Sequence, residues 1–391
     1  MTDVWARVTS ERCSLGKQRR LSLRVFGAGN FGVDNFGAGN FRAGYDNKAD
    51  FMTKPLVLLT GASGFIAKHI AAEVLKRGYP IRCTVRSLSK SDDIRRAVSK
   101  AGADPGRLLF VEADLMSDAG WDQAAHGCTY VIHTASPFPI EQPSDPGEVI
   151  RPAREGTMRV LSAAAKAGVK RVVLTSSSVA VFYSGKAADH VYTEADMTDD
   201  TRPELTPYIR SKTIAEKAAW EFVKKTPGAP ELAVINPGFV QGPALDADLS
   251  TSHELYRIMA RGTYPAAPRI RFPVCDVRDV AIAHAEALTH PRAAGERFII
   301  ARGDTGLFEL GQALARECPD LKSKVPKFQL PDMAVRALAV ADKRMRTILP
   351  ELGLHKSYSA AKVQDVLGLT LRDADTAIRD AIRSMRELGL I

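Results

Sequence analysis

Residues 56–78 read LVLLTGASGFIAKHIAAEVLKRG: an apolar run of strand length, a glycine turn, then a helical repeat. Ile66, Ile70 and Val74 recur at helical spacing on one face, and Gly78 stands where such a helix stops. The alternation continues, with apolar β-rich runs at 81–85, 108–111, 130–133, 172–175 and 232–235 and amphipathic stretches between them. Parallel strands need a crossover to return the chain to the same edge, so this rhythm implies a parallel sheet covered on both faces by helices. The fold class expected is α/β, a doubly wound parallel sheet of the Rossmann type. After about Gly242 the rhythm breaks into loops and helices, with one strand-like return at 297–300. That change predicts a dinucleotide-binding domain over 52–242 and a smaller C-terminal substrate lobe over 243–391.

Two glycine clusters compete for the role of phosphate turn. The first lies in a five-residue repeat, FGAGN-FGVDN-FGAGN-FRAGY, where Gly27, Gly29 and Gly32 spell G-x-G-x-x-G. A period of five is neither 3.6 nor 2, and no helix follows to aim N–H groups at an anion. Residues 1–51, this repeat and its Arg-bearing start, are therefore expected to be a flexible low-complexity extension that is dispensable for activity. Met52 opens MTKPLVLLTG as a natural start for the fold, so the extension reads as an upstream start-codon misassignment, with a targeting segment as the alternative. The second cluster has the full context: a strand leads in, Gly61, Ser63 and Gly64 make the turn, and Phe65 and Ile66 open a helix at once. Ala67 replaces the last glycine and still permits close helix-to-sheet packing.

The next strand ends in CTVRSLSK, where an NAD-selective site places Asp or Glu for the ribose hydroxyls. Arg86 stands there instead, with Lys90 close behind, which suits a 2′-phosphate. NADP(H) is the preferred cofactor, and NAD(H) the second that such a site could take. The overall charge of +9 also favours an anionic ligand, while both signs are spread along the chain without the clustered bases of a nucleic-acid footprint. Cys13, Cys83, Cys128, Cys275 and Cys318 are scattered and odd in number, which fits free thiols in a reducing compartment. With no apolar run long enough for a membrane span and no secretory signal at its start, the chain is expected to be cytoplasmic.

In PYIRSKTIAEKAAW, Tyr208 and Lys212 are four residues apart, hence on one helical face. They follow RVVLTSSS, whose end offers Thr175, Ser176, Ser177 and Ser178 at the carboxyl edge of the sheet. A phenol with a neighbouring ammonium can be tuned toward proton transfer, and a serine hydroxyl can hold a carbonyl oxygen. These are the groups that carbonyl reduction needs. No metal is expected, since His126, Cys128 and His133 lack ligand spacing.

The ordered set TGASGFIA, Asp114-Leu115, HTASP (133–137), PAREGT (152–157), TSSS, Tyr208-x-x-x-Lys212 and NPG (236–238) resembles the extended short-chain dehydrogenase/reductases. Within them the chain is most similar to the dihydroflavonol reductase, cinnamoyl-CoA reductase and microbial aldehyde and ketone reductase group, from about Met52 to the C-terminus. The resemblance implies NADPH-dependent reduction of an aldehyde or ketone, with Ser177 binding the carbonyl, Tyr208 donating the proton and Lys212 holding the nicotinamide ribose. Ser178 takes the place of Ser177 if the register slips by one. It also implies that Asp114 and Leu115 lie near the adenine, Ala135 near the ribose-phosphate, and Pro237 and Gly238 near the nicotinamide. By residue type alone, Asp114 also fits a strand-end cap and Pro237 a strand terminator. Ser136, Phe138, Phe182, Tyr183 and Gln241 are the candidates to line a substrate pocket, though their types fit core or loop equally well. Cinnamoyl-CoA reductases carry N-W-Y-C-Y ending at the catalytic tyrosine; Glu204-Leu205-Thr206-Pro207-Tyr208 here argues against a CoA thioester. The partner expected is a small carbonyl compound, bound by a monomer or homodimer. The rival functions are an NAD-dependent nucleotide-sugar epimerase or dehydratase, which Arg86 opposes, and a non-catalytic NADP-binding module, which the intact Ser-Tyr-Lys set opposes.

Overall fold

A computed structural model describes residues 54–136, 145–187, 189–341, 346 and 348–391. The expectations for residues 1–51 and for Phe138 lie outside the described residues. Along the chain run β1 (Val57–Thr60), α1 (Phe65–Lys76), β2 (Ile81–Val85), α2 (Ser91–Lys100), β3 (Leu108–Glu112), α3 (Trp121–Ala125), β4 (Tyr130–His133) and α4 (Gly147–Lys166). They are followed by β5 (Arg171–Thr175), β6 (Val191–Tyr192), α5 (Pro207–Lys225), β7 (Glu231–Pro237), β8 (Phe239–Gln241), α6 (Thr251–Ala260), β9 (Ala267–Pro268) and β10 (Arg271–Asp276). The chain ends with α7 (Val277–Thr289), β11 (Arg297–Ile300), β12 (Asp304–Gly306), α8 (Leu307–Glu317), β13 (Gln329–Leu330), α9 (Asp332–Ala341), β14 (Ser357–Tyr358), α10 (Ala361–Leu367) and α11 (Ala374–Glu387).

Seven strands form one parallel sheet in the order β11-β7-β5-β4-β1-β2-β3, the doubly wound arrangement expected. Its central strands are buried along their whole length because helices cover both faces. Successive residues alternate between the two layers. Val57, Leu59 and Ile235 pack with Ile70 and Val74 of α1 and Val280 of α7, whereas Leu58, Val172 and Val234 pack with Val160 and Leu161 of α4 and Ala219 of α5. Helix α1 stops as the sequence indicates: Arg77 caps it and Gly78 follows at φ +82°.

Beyond β8 the chain adds a small sheet of β8, β10 and β12 and a core of Tyr256, Leu310, Leu314, Ile378 and Ile382 from α6, α8 and α11. The strand at 297–300 is β11, which pairs with β7 in the main sheet. Cys83, Cys128, Cys275 and Cys318 are buried free thiols. Among the described residues, no helix is long and apolar enough to cross a membrane.

Candidate active site

The strand order reverses between β1 and β4, and open α/β sheets take ligands in the crevice at such a switch point. Strand β1 delivers the chain into a turn closed by a hydrogen bond from the Gly64 N–H to the Gly61 carbonyl (3.0 Å). Gly61 stands at φ +66°, and a Cβ there would come within 2.9 Å of the Ala135 Cα, so conformation and close approach both demand glycine. The turn therefore lies directly against the loop after β4 that carries Ala135 and Ser136. Gly64 caps α1 without a side-chain acceptor, and the first turn of the helix holds no acidic residue. Its leading N–H groups are left to an anion. Ser63 and Ile66 are half-buried in the same turn. The Phe65 ring packs edge-on against His69 and His253 (centroids 5.2 and 4.7 Å), so its share in the turn is its backbone.

Arg86 is exposed just beyond β2 and joins none of the ion pairs among the described residues, while Lys90 stands 3.7 Å from Asp93. Asp114, beyond β3, caps its own turn by accepting from the Met116 N–H (2.9 Å). Leu115 packs so closely on α4 that a Cβ at Gly156 would sit 2.8 Å from it. These residues occupy the carboxyl ends of β2 and β3, on the side of the β1 turn away from β4.

On the other side of the switch point, β5 ends in the row of hydroxyls, and each has a different partner. Thr175 pairs with His284 Nε2 (2.7 Å), Ser176 donates to Glu216 (2.5 Å), and Ser177 hydrogen-bonds to the Tyr208 phenol. Ser178 opens the short helical turn Ser178–Ala180. Tyr208 sits in the first turn of α5, which Thr206 caps by accepting from the Ile209 N–H (3.4 Å) and which Pro207 opens at fixed φ. Lys212 follows one turn later and borders a cavity lined also by His133, Ser136, Thr157, Ser176 and Glu216.

The electrostatics differ from the sequence expectation in one respect. Burial pushes the Tyr208 phenol above its ordinary value, the Ser177 hydrogen bond opposes that rise, and Lys212 does not set the direction. Burial also pushes the Lys212 ammonium down to about 8. Desolvation dominates at both groups because both are buried. His133 is driven to about 3 by burial and then by the Lys212 charge, so it is neutral, with Nδ1 2.8 Å from the Thr60 hydroxyl.

Pro237 ends β7, and the N–H of Gly238, which links it to β8, donates to the Ile300 carbonyl (3.0 Å). Two pocket candidates lie in the core. Phe182 is enclosed by Tyr192, Ile299, Ala301 and Tyr358, and Gln241, with no exposure, accepts from the Tyr256 hydroxyl (2.7 Å). Burial, and then the Glu351 carboxylate, push the Tyr183 phenol up; Lys356 donates to Glu351 (2.5 Å) and lies 4.1 Å over the Tyr183 ring. Asn236 opens the NPG run quoted for the resemblance, whereas Glu351, Lys356, Glu216 and Arg297 were not singled out by the sequence. Only Glu216 carried a local signal, eight residues beyond Tyr208 on the same helical face.

A family model described as the NAD dependent epimerase/dehydratase family matches residues 57–301. The "Ketoreductase azaE" of Aspergillus niger is 34% identical over 350 residues, covering 85% of this chain and 97% of that protein. The "Cinnamoyl-CoA reductase CAD2" of Medicago truncatula is 33% identical over 338 residues, covering 85% of this chain and 96% of that protein. The crystal structure of yeast methylglyoxal/isovaleraldehyde reductase Gre2 complexed with NADPH matches with a TM-score of 0.70 at 26% identity, covering 86% of this chain and 100% of that chain. The chain belongs to the NAD dependent epimerase/dehydratase family, as an NAD(P)-dependent oxidoreductase of the extended short-chain dehydrogenase/reductase type.

Proposed function

We propose that this chain reduces an aldehyde or ketone to the alcohol with NADPH, and that Tyr208 is the proton donor. The observation that carries this reading is the Ser177–Tyr208 hydrogen bond, with Lys212 one turn along the same helix, at the sheet edge beside the uncapped N-terminus of α1. The turn fits a dinucleotide: its glycine leaves no room for a Cβ, its helix N–H groups lack an acceptor, and Arg86 offers an exposed cation for a 2′-phosphate. Gly61, Ser63, Gly64 and the backbone of Phe65 and Ile66 would hold the pyrophosphate, with Asp114, Leu115 and Ala135 along the adenosine and Pro237, Gly238 and Lys212 toward the nicotinamide. Bound there, NADPH supplies the hydride that adds to the carbonyl carbon.

The chain's own groups handle the oxygen. Ser177 donates a hydrogen bond to the carbonyl oxygen and holds it against the Tyr208 hydroxyl. The upward displacement of the Tyr208 phenol keeps it protonated at neutral pH, the form that a donor needs. As negative charge builds on the oxygen, Tyr208 transfers its proton and the Lys212 ammonium stabilises the resulting phenolate. Of the pocket candidates, Ser136 lines the same cavity as Lys212. The test is oxidation of NADPH and of NADH by the purified full chain over a panel of small and aromatic aldehydes and ketones, with Tyr208→Phe alongside. NADPH is expected to be used faster than NADH, and Tyr208→Phe to lose at least about a hundredfold in kcat with its NADPH Kd unchanged. Normal turnover by Tyr208→Phe refutes the assignment.

A further inference from the structure

Glu216 lies two turns beyond Tyr208 and one beyond Lys212 on α5, and none of its surface reaches solvent. Its Oε2 accepts from the Ser176 hydroxyl (2.5 Å) and the Asn236 amide (2.8 Å). Its Oε1 accepts from Arg297 Nε (2.5 Å) and, more loosely, from the Trp220 indole N–H (3.3 Å). The Asn236 amide that meets Glu216 also donates to the Ser177 carbonyl (3.1 Å). Arg297 projects from β11 and donates on to the Ala180 carbonyl (3.3 Å), at the end of the turn that follows Ser177. The carboxylate thus reaches Ser177 by two routes, through the side chain before it and through the amide on its own carbonyl, while Arg297 grips the turn after it.

A buried ion pair seldom adds stability over apolar residues of the same volume. What it supplies here is direction: three donors from the sheet side, Ser176, Asn236 and Arg297, converge on the Glu216 carboxylate and fix the strand end and the helix to each other. The Oδ1 of Asn236 has no hydrogen-bond partner, so the two donations from its amide nitrogen set how the side chain is oriented.

We propose that Glu216, braced by Arg297, is a positioning residue that holds the Ser177 hydroxyl against the Tyr208 phenol. This rests on the reading of Ser177 and Tyr208 as the catalytic pair. Glu216→Gln strands the Arg297 guanidinium inside the protein and can unfold it, so the test uses Ser176→Ala and Asn236→Ala, each of which cuts one route. Steady-state kinetics, NADPH fluorescence titration, thermal melting and crystal structures of both variants supply the readouts. Both variants are expected to fold, to keep NADPH Kd and carbonyl KM within about twofold, and to lose roughly ten- to a hundredfold in kcat. Their crystal structures are expected to show Ser177 displaced from Tyr208. A folded variant with unchanged kcat, or with the Ser177–Tyr208 hydrogen bond intact, overturns the proposal. If the wild-type chain turns over no carbonyl compound, the catalytic reading fails, and the crystal structures alone decide whether Glu216 places Ser177.

Discussion

Gly61→Ala strikes the tightest point of the nucleotide turn. An L-residue held at φ +66° costs roughly 1–2 kcal/mol. The new methyl would also lie 2.9 Å from the Ala135 Cα, 3.0 Å from its Cβ and 3.2 Å from its N, and backbone cannot swing aside as a flexible side chain can. Forcing the two loops apart adds about 1–2 kcal/mol more, as other overpacked sites do. A total of about 2–4 kcal/mol should lower Tm by roughly 3–6 °C for a unit of this size. Because the turn carries the N–H groups offered to the pyrophosphate, the NADPH Kd should rise more than about tenfold. Gly78→Ala is the control: Gly78 has φ +82°, but its nearest neighbour is the Lys54 side chain at 3.8 Å, so it meets the conformational cost without the clash. It should lose about 1–2 kcal/mol and bind NADPH as the wild type does. Thermal unfolding by circular dichroism and fluorescence titration with NADPH check both variants. The reasoning is refuted if Gly61→Ala melts and binds like the wild type, and equal losses in the two variants would show that the Ala135 contact counts for nothing.

Three further outcomes are expected. Burial holds His69, His253 and His284 near 4 and His133 near 3, below the 6.5 of an unfolded histidine, so the unfolded chain takes up more protons on acidification. Their contribution is complete above pH 6.5 and is lost as pH falls toward 4, about 2 kcal/mol per histidine by pH 5; a Tm that stays level between pH 7 and pH 5 contradicts this. Burial holds Lys212 near 8, and the proposed mechanism uses it as the cation, so kcat/KM for NADPH should fall as pH rises through about 8; a flat profile to pH 10 removes the ammonium from the mechanism. Arg86→Glu should raise the NADPH Kd by about tenfold or more and leave NADH binding nearly unchanged, with the gap narrowing in high salt because the site is exposed; parallel loss for both nicotinamides assigns the 2′-phosphate elsewhere.

Features that depend on neighbours along the chain were legible in the sequence. Strand and helix periodicity gave the parallel sheet, the stop at Gly78 gave the end of α1, and a strand, a glycine turn and a helix follow one another around Gly61 as read from the sequence. Tyr208 and Lys212 share a face because helical geometry alone puts residues four apart on one side. The hydroxyl row after β5 was visible, and only the family resemblance singled out Ser177 within it; residue types alone did not say which hydroxyl meets Tyr208. That depends on Thr175 turning to His284 and Ser176 to Glu216, contacts that α7 and α5 bring in. Phe182 and Gln241 were read as pocket candidates because aromatic and amide side chains suit a pocket wall and a core alike. Tyr358 and Tyr256, from other parts of the chain, enclose them. Arg297 reaches Glu216 only because β11 returns to pair with β7, and Glu351 meets Tyr183 across an even longer separation. Local periodicity records which face of an element is apolar. It holds no record of which distant element will cover that face, and so the partners of Ser177 and of the buried charges were decided by tertiary packing.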